Sequence, residues 1–324
     1  MKSSMTRKSH TGMIIMHARF HMALEKNFKH MKYRINSSEL SIEINQTGME
    51  LSSIKSLNTN TEYLWQGNPS IWSGQAPVLF PIIGALKDGF MIYKNQNYSI
   101  PKHGILRNSS KPVLKESTEN SLSFSLVWDD ESLKQYPFKF ELEIKFTVLG
   151  SKIEIAHRIV NPGEETMWYS IGGHPAFNCS VNEGQEYEDY FLEFTYPESD
   201  STWSVESSGL IGKETKSILE NSSKLSLHKH LFDNDALIFK NLKSREVTLM
   251  HEDRGGILSL KFDDFDYLGI WAKPGAPFVC IEPWLGIADS VDSNQKFEEK
   301  EGLLKLEAHQ SEVKTYSITI LKEK

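Results

Sequence analysis

Hydrophobic and polar residues alternate strictly over long stretches of the chain. Between Phe138 and Val148 every second residue is apolar, and the residues between them are charged or Thr. A period of two places the apolar side chains on one face of a β-strand, and no helix has this period. A second alternating run, Lys152–Val160, begins directly after Gly150-Ser151. The two runs therefore predict an antiparallel hairpin.

Further strand-like segments continue along the chain and are separated by turns rich in Asn, Pro and Gly. They are Leu40–Ile44, Leu122–Val127, Ala236–Phe239, Glu246–Met250, Ile257–Phe262, Tyr267–Trp271, Phe278–Ile281 and Val313–Ile320. Helical patterns are confined to Asp129–Tyr136 and Ser293–Glu299, and each is long enough for one or two turns. Many strands with few short helices predict an all-β fold, a large antiparallel β-sandwich or barrel-like domain. No Pro/Ser/Gly-rich linker divides residues 31–324, so we expect a single domain there.

The first thirty residues differ in composition from the rest. They hold six Lys or Arg, the single acid Glu25 and five of the ten Met. Their only apolar run, Met13–Met16, is too short for the hydrophobic region of a secretory signal peptide. We expect residues 1–30 to be a disordered N-terminal extension or the result of a misassigned start, without a catalytic role.

Composition and charge argue against several classes of protein. There is no run of about 18 apolar residues, so we expect no membrane-spanning helix. The formal net charge of −7 offers no broad attraction to nucleic acid or anionic lipid. Two cysteines, Cys179 and Cys280, are too few for a disulfide framework or a Cys-rich metal site. We interpret them as reduced thiols in a cytoplasmic protein.

Sequence motifs for common cofactors are absent. The chain has no phosphate-binding glycine loop, no dinucleotide fingerprint and no Gly-x-Ser-x-Gly turn. His228 and His230 could share one face of a strand and bind a metal, but no third ligand is evident near them. The sequence therefore predicts neither a cofactor nor a metal site.

Two histidines lie in segments where Gly and Pro restrict the backbone. His103 is followed by Gly104, which gives a ligand access to the imidazole. His174 follows two glycines and precedes Pro175. An imidazole titrates near neutral pH, so an uncrowded one suits proton transfer. A surface-loop histidine and a turn-capping histidine are the structural alternatives.

A glutamate interrupts an otherwise apolar strand near the C-terminal end. Glu282 follows the segment Pro277–Ile281 and precedes Pro283-Trp284, and we expect Pro283 to end the strand. Burying a lone carboxylate is costly, so Glu282 is either ion-paired or functional. Two histidines and a glutamate on a β scaffold, with several Trp, suit acid/base chemistry on a sugar.

The ordered set of motifs resembles the aldose 1-epimerase (galactose mutarotase) superfamily, specifically its LacX-like bacterial branch. The resemblance runs from about Met31 to the C-terminus, and its carriers are Pro77–Gly84, Leu86–Asp88, Pro101–Gly104, Gly172–Asn178, Asp235–Leu237 and Ile281–Trp284. It implies a large antiparallel β-supersandwich with a sugar cleft on one sheet. It also implies an isomerase that interconverts the α and β anomers of a free aldose, a reaction without a redox change.

The resemblance implies roles for individual residues as well. His174 matches the general acid and Glu282 the general base, while His103 matches a second cleft histidine near the ring oxygen. Asp235 matches the acid that binds sugar hydroxyls. Trp168, Trp271 and Trp284 are candidates for stacking on the sugar, and we include Trp271 among the substrate-binding residues.

One position departs from the branch. The chain reads Gly84-Ala85-Leu86-Lys87-Asp88 where relatives usually read Gly-Arg-Leu-Lys-Asp, and that arginine normally hydrogen-bonds the sugar. Ala85 cannot do so. Lys87 shares the strand parity of residue 85, and Arg107 can enter from the next loop, so we expect both to bind substrate. Neither reproduces the planar guanidinium fork at residue 85.

Three other functions remain open at this point. A hexose-phosphate mutarotase would use Lys87, Lys102 and Arg107 to bind the phosphate. A glycoside hydrolase would need Asp235 as a second carboxylate beside Glu282. A non-catalytic carbohydrate-binding homologue would be consistent with Ala85. In each case the expected partner is a small-molecule sugar, not nucleic acid or a membrane, and the chain could be a monomer or a homodimer.

Overall fold

The chain folds almost entirely into β-strands. A computed structural model describes residues 31–181 and 184–322, and the expectation for residues 1–30 lies outside this range. The described residues contain a single α-helix, α1 (Asp130–Leu133), and four 3-10 helices at Thr47–Met49, Lys87–Gly89, Tyr187–Asp189 and Phe297–Glu299. None of the described helices has the length and apolarity needed to cross a membrane. The all-β prediction with few short helices is confirmed.

A nine-stranded antiparallel sheet forms one layer. In spatial order its strands are β17 (Ser222–Ser226), β14 (Tyr190–Glu198), β19 (Glu246–His251), β20 (Gly255–Lys261), β24 (Ser311–Ile320), β10 (Lys152–Val160), β9 (Glu141–Leu149), β8 (Ser121–Val127) and β7 (Val113–Ser117). The predicted hairpin is present as β9–β10, with Leu149 opposite Lys152 across the Gly150-Ser151 turn.

A second antiparallel sheet has six strands and carries the candidate site. Its spatial order is β18 (Leu237–Phe239), β21 (Tyr267–Trp271), β22 (Phe278–Leu285), β12 (Ile171–Gly173) and β4 (Val78–Leu79), and β13 (Ala176–Asn178) also pairs with β22. The central strand β22 is buried along its whole length. Its neighbour on one side is interrupted, because His174-Pro175 separates β12 from β13.

Small sheets complete the fold. They are β1–β2–β3 (Lys32–Asn36, Leu40–Asn45, Glu50–Ser56) and the two-stranded pairs β5–β6 (Phe90–Tyr93, Gln96–Ser99), β11–β23 (Met167–Tyr169, Leu304–Leu306) and β15–β16 (Ser201–Val205, Ile211–Ser217). The β15–β16 hairpin supplies part of the wall above the six-stranded sheet.

The main hydrophobic core joins the two large sheets. It contains Ile153, Leu258 and Ile318 from the nine-stranded sheet and Val279 and Ile281 from β22. Each fully buried aliphatic side chain contributes about 1.5–3 kcal/mol relative to an exposed one. Side chains alternate between the two faces of a strand. Because Val279 and Ile281 point into this core, the residues that alternate with them point to the other face of β22.

Two predicted strand boundaries are wrong. Strand β9 begins at Glu141 and not at Phe138, although Phe138 and Phe140 are buried in the core. Pro283 does not end β22, which continues to Leu285. Pro283 is tolerated because it falls in the gap between Trp284, which pairs with Gly172 of β12, and Cys280, which pairs with Ala176 of β13, where no regular ladder requires its missing N–H.

Candidate active site

A cleft of about 730 Å³ lies on the six-stranded sheet. Its lining includes six of the seven residues that the sequence analysis selected: His103, Arg107, His174, Asp235, Trp271 and Glu282. They come from separate loops and strands across much of the chain, so the fold is what brings them together.

His174 is held where β12 ends. Its backbone N–H donates to the carbonyl of Pro77 at 3.0 Å. The preceding Gly173 packs against Tyr316, and a Cβ at this position would lie 2.7 Å from the Tyr316 hydroxyl oxygen. A side chain at residue 173 would therefore displace the backbone that carries the imidazole.

Glu282 reaches the cleft from the middle of β22. It is 1% exposed and His174 is 8% exposed. The Nε2 atom of His174 lies 3.3 Å from Oε2 of Glu282. That oxygen has no hydrogen-bond partner among the described residues, and neither does Nδ1 of His174. The two side chains form a buried acid/base pair at the floor of the cleft.

Burial favours the neutral form of both members of this pair. It lowers the pKa of His174 well below the ordinary value, with the positive charges of Arg107 and Lys102 acting in the same direction. Burial also raises the pKa of Glu282 well above the ordinary value, while Trp284, Lys102 and Arg107 oppose the rise. A neutral imidazole beside a protonated carboxyl and an imidazolium beside a carboxylate carry the same total number of protons. The two forms differ only in which side chain holds the shared proton.

His103 is fixed in one tautomer by its own loop. The N–H of Gly84 donates to Nδ1 of His103 at 3.2 Å, and the N–H of His103 donates to the Gly84 carbonyl at 2.9 Å. Because Nδ1 accepts, the neutral ring carries its proton on Nε2. Burial, with Lys102 and Arg107, lowers the pKa of His103 to about 3. His103 is therefore a neutral N–H donor, with its ring centroid 5.8 Å from that of His174.

Aromatic rings enclose the imidazole of His174. Trp72 stacks on it with centroids 5.1 Å apart and planes at 26°, and Trp271 meets its edge at 5.8 Å. Trp284 also lines the cleft, whereas Trp168 lies on β11 opposite Lys305 and is not part of the lining. Sequence analysis missed Trp72. No periodicity marks it, because it lies in irregular chain between β3 and β4.

The structure does not bring Lys87 into the cleft, contrary to the expectation from strand parity. Its ammonium donates to the Ser293 carbonyl at 3.0 Å. Residues 87–89 form a 3-10 helix in which Asp88 has a φ of +55°. Alternation of side chains holds only in an extended strand, so parity with residue 85 does not carry over to Lys87.

Lys102 and Ala85 both lie close to the Cβ position of Gly209. A Cβ built on Gly209 would lie 3.5 Å from Lys102 Nζ and 3.5 Å from the Cβ of Ala85. Lys102 and Arg107 both line the cleft, and neither forms an ion pair with a described residue. Asp235, which also lines the cleft, has a left-handed backbone and accepts the Ala236 N–H at 2.8 Å.

One set of described residues has the composition of a metal site. A ligand atom from each of His174, Cys280 and Glu282 lies within 4.8 Å of the other two, and all three residues are buried. Cys280 precedes Glu282 by two residues on β22, so the two side chains leave the strand on the same face.

Comparison with known proteins gives a consistent family. The model of the family described as aldose 1-epimerase matches residues 31–301. The chromosomal LacX protein of Lactococcus lactis subsp. lactis is 38% identical over 300 residues, which cover 90% of this chain and 100% of that protein. The plasmid-encoded LacX protein of the same organism matches equally well, at 38% identity with the same coverage.

Solved structures share the fold. A galactose mutarotase related enzyme from Lactobacillus acidophilus aligns with a TM-score of 0.85 and 32% identity, covering 90% of this chain and 98% of the other. A galactose mutarotase-like protein from Lactobacillus casei aligns with a TM-score of 0.84 over 90% of this chain and 100% of the other. The second is 24% identical and informs the fold alone. These similarities confirm the galactose mutarotase-like architecture.

Proposed function

The chain belongs to the aldose 1-epimerase family, and on that premise we propose that it interconverts the α and β anomers of a free aldose by acid/base opening of the sugar ring. The observation that carries this proposal is the buried His174–Glu282 pair, with 3.3 Å between Nε2 and Oε2. A pair of proton-transfer groups on the floor of a sugar-sized cleft supports this chemistry, because ring opening needs one proton removed and another supplied.

The reaction begins at the anomeric hydroxyl group. Glu282, as the carboxylate, removes its proton, and His174, as the imidazolium, donates a proton to the ring oxygen. The bond between C1 and the ring oxygen breaks and leaves an open-chain aldehyde. Rotation about the C1–C2 bond presents the other face of the carbonyl, and the steps reverse to close the ring as the other anomer. Each proton-transfer group contributes about 10²–10⁴ in rate when well placed.

The ionic form of the pair arises inside the cleft. Burial favours the neutral imidazole and the protonated carboxyl, and moving one proton from Glu282 to His174 produces the imidazolium and the carboxylate. A bound sugar supplies a hydroxyl donor to Glu282 and a ring-oxygen acceptor to His174, and both contacts stabilise the ionic form. Lys102 and Arg107 also favour the carboxylate.

The remaining cleft residues orient the sugar. The Nε2–H of His103 is a neutral donor that suits the ring oxygen or an adjacent hydroxyl group. Trp72 and Trp271 provide apolar surfaces beside His174 on which a pyranose can pack. Asp235 suits the remaining hydroxyl groups because its carboxylate accepts hydrogen bonds.

A second candidate is mutarotation of a phosphorylated aldose. Lys102 and Arg107 favour it, because both line the cleft and neither forms an ion pair with a described residue. A phosphate is the kind of group that such cations bind. Ala85 is consistent with this alternative, since its methyl group and the ammonium of Lys102 both lie 3.5 Å from the position of a Cβ on Gly209.

The deciding experiment follows the optical rotation of freshly dissolved α-D-galactose, α-D-glucose and α-D-glucose 6-phosphate. We expect the protein to accelerate the approach to the anomeric equilibrium for at least one of them. Glu282→Gln should lower this acceleration by about 10²-fold or more, while Glu154→Gln, an exposed carboxylate on β10, should leave it unchanged. Full turnover by the Glu282→Gln variant would contradict the proposal, and absence of acceleration for all three sugars would favour a binding-only homologue.

A further inference from the structure

Cys280 lies beside the acid/base pair but has no part in the proposed proton transfers. It is fully buried on β22, opposite Ala176 of β13 and Trp271 of β21. Its sulfur belongs to the three ligand atoms, with those of His174 and Glu282, that lie within 4.8 Å of one another. A thiol in this place needs an explanation, because an apolar side chain would fill a buried strand position equally well.

We propose that His174, Cys280 and Glu282 form a binding site for Zn²⁺, and that the bound ion blocks the acid/base pair. The sequence alone predicted no metal site, since the three residues are not adjacent in the chain. The proposal goes beyond the proposed function. Its inhibitory part rests on that function, whereas its metal-binding part does not.

The geometry suits tetrahedral zinc. Zn²⁺ binds nitrogen, carboxylate oxygen and thiolate sulfur at about 2.0–2.3 Å, so adjacent ligand atoms of a tetrahedron lie roughly 3.3–3.8 Å apart. The 3.3 Å between Nε2 of His174 and Oε2 of Glu282 already equals such an edge. The sulfur lies no more than 4.8 Å from the other ligand atoms. Side-chain rotations that move the sulfur by about 1 Å therefore bring all three ligand atoms to tetrahedral spacing. The open cleft leaves the fourth coordination position of the ion for water.

The unsatisfied atoms of the pair are a second, independent observation. Oε2 of Glu282 is buried and accepts no hydrogen bond from a described residue, although buried carboxylate oxygens are normally paired. A cation at the centre of the triangle would satisfy it. The thiol excludes Ca²⁺ and Mg²⁺, which prefer oxygen ligands, and favours a softer ion such as Zn²⁺.

Binding has a defined proton balance. Cys280 coordinates as the thiolate and Glu282 as the carboxylate, so the thiol proton, and the carboxyl proton when present, leave for solvent as the ion enters. His174 coordinates through a nitrogen lone pair and can then neither hold nor donate a proton at that atom. Zn²⁺ should therefore compete with the sugar and suppress anomer exchange, and a chelator should restore it.

The test uses Zn²⁺ and Co²⁺ alone as probes of the full chain. We expect isothermal titration calorimetry to give one Zn²⁺ per chain, and Co²⁺ to produce a thiolate-to-cobalt charge-transfer band in the near ultraviolet. Cys280→Ser should abolish the band and weaken Zn²⁺ binding at least about tenfold. Cys179→Ser is the matched control, because Cys179 is also fully buried but is not in the cluster. The cobalt charge-transfer band and the Zn²⁺ affinity of the Cys179→Ser variant should equal those of the parent protein.

Further variants test whether the loss of Zn²⁺ binding in Cys280→Ser comes from misfolding, and whether Zn²⁺ binds elsewhere on the protein. Thermal unfolding checks that Cys280→Ser is folded, and Cys280→Ala serves if it is not. The double variant His228→Ala/His230→Ala removes the exposed histidine pair and should leave the stoichiometry unchanged. Zn²⁺ should lower mutarotation at least about tenfold in the parent protein but not in the folded Cys280 variant.

Several results would overturn the proposal. They are the absence of stoichiometric Zn²⁺ binding, a cobalt complex without the charge-transfer band, and binding that survives loss of Cys280 but not loss of His228 and His230. A band in a protein without mutarotase activity would support the metal site and refute the proposed function. Mutarotation that is insensitive to Zn²⁺, in a protein without the cobalt charge-transfer band, would support the proposed function and refute the metal site.

Discussion

The indole ring of Trp72 lies stacked on the imidazole of His174, with the ring centroids 5.1 Å apart. The two residues are far apart in the chain, and Trp72 belongs to a segment without regular secondary structure. The backbone that follows it is held by Glu50, whose carboxylate accepts the N–H groups of Gln75 at 2.8 Å and Ala76 at 3.0 Å. Trp72 covers one face of the His174 imidazole and contributes to the burial of the proposed proton-transfer pair.

Removing this ring should change the pH dependence of the reaction. Burial is the largest cause of the lowered pKa of His174, and Trp72→Ala admits water to the imidazole, so the pKa of His174 should rise. In the resting pair the transferable proton is on Glu282, so activity is lost as the pH falls and His174 takes up a second proton. That limb of the pH–rate profile should move to higher pH, with kcat/KM lower by about tenfold through loss of the proposed sugar contact. Profiles of Trp72→Ala and of the control Trp168→Ala, outside the cleft, test this. Identical profiles would contradict a role for Trp72 in burying His174.

The two lysines near Ala85 should differ in their effect on substrate preference. Lys102 lines the cleft, while the ammonium of Lys87 is bound to the Ser293 carbonyl. If the substrate is phosphorylated, Lys102→Met should raise KM for glucose 6-phosphate by about tenfold through loss of a charge-assisted hydrogen bond, and affect galactose less. Lys87→Met should leave both values near those of the parent protein. Equal effects of the two substitutions on KM would refute this assignment of Lys102.

Two glycines with a positive φ provide a matched test of the loop that carries His103. Gly104 has a φ of +84°, and a Cβ there would lie 2.0 Å from the Phe80 carbonyl oxygen, whereas Gly89 has a φ of +76° and no atom within 4 Å of the same position. Gly89→Ala should cost about 1–2 kcal/mol from the left-handed backbone alone. Gly104→Ala adds the steric clash and should lower the free energy of unfolding by about 3 kcal/mol or more. Urea denaturation of both variants measures the difference, and equal losses would show that the loop relaxes freely.

Acidification should destabilise the protein through its buried histidines. Burial lowers the pKa of His157 from 6.5 to about 4, and its contact with the Lys314 carbonyl opposes the shift only in part. Between these two values the unfolded chain binds a proton that the folded chain does not, so the free energy of unfolding decreases as the pH falls through this window. The slope is at most about 1.4 kcal/mol per pH unit for each such histidine. His103 acts in the same direction because its pKa is also lowered, to about 3.

His157→Phe isolates one of these contributions. The residue lies on β10, stacked on Tyr316 and outside the cleft lining. Urea denaturation at pH 7, 6 and 5 should show a shallower loss of stability in the variant than in the parent protein. Parallel curves for the two proteins would mean that His157 does not titrate differently in the folded and unfolded states.

Local sequence patterns determined most of the strand architecture. The period-two alternation from Lys152 to Val160 coincides with β10, because the side chains of an extended strand can reach only two faces and one of them must be buried. Gly150-Ser151 marked the hairpin turn for a similarly local reason. The family motifs also selected His103, His174 and Glu282, which the fold brings into one cleft.

Only the tertiary structure decided which side chains meet. Pro283 remains in β22 because it falls in the gap between the pairings of β22 with β12 and with β13, and those two strands lie about a hundred residues earlier in the chain. Lys87 turns away because residues 87–89 form a 3-10 helix, in which side chains do not alternate between two faces, and Lys102 lines the cleft instead. Trp72 and Cys280 approach the acid/base pair through contacts between distant segments, which no local period encodes. Sequence alternation fixes the face on which a side chain emerges, whereas the packing of loops and sheets fixes its neighbours.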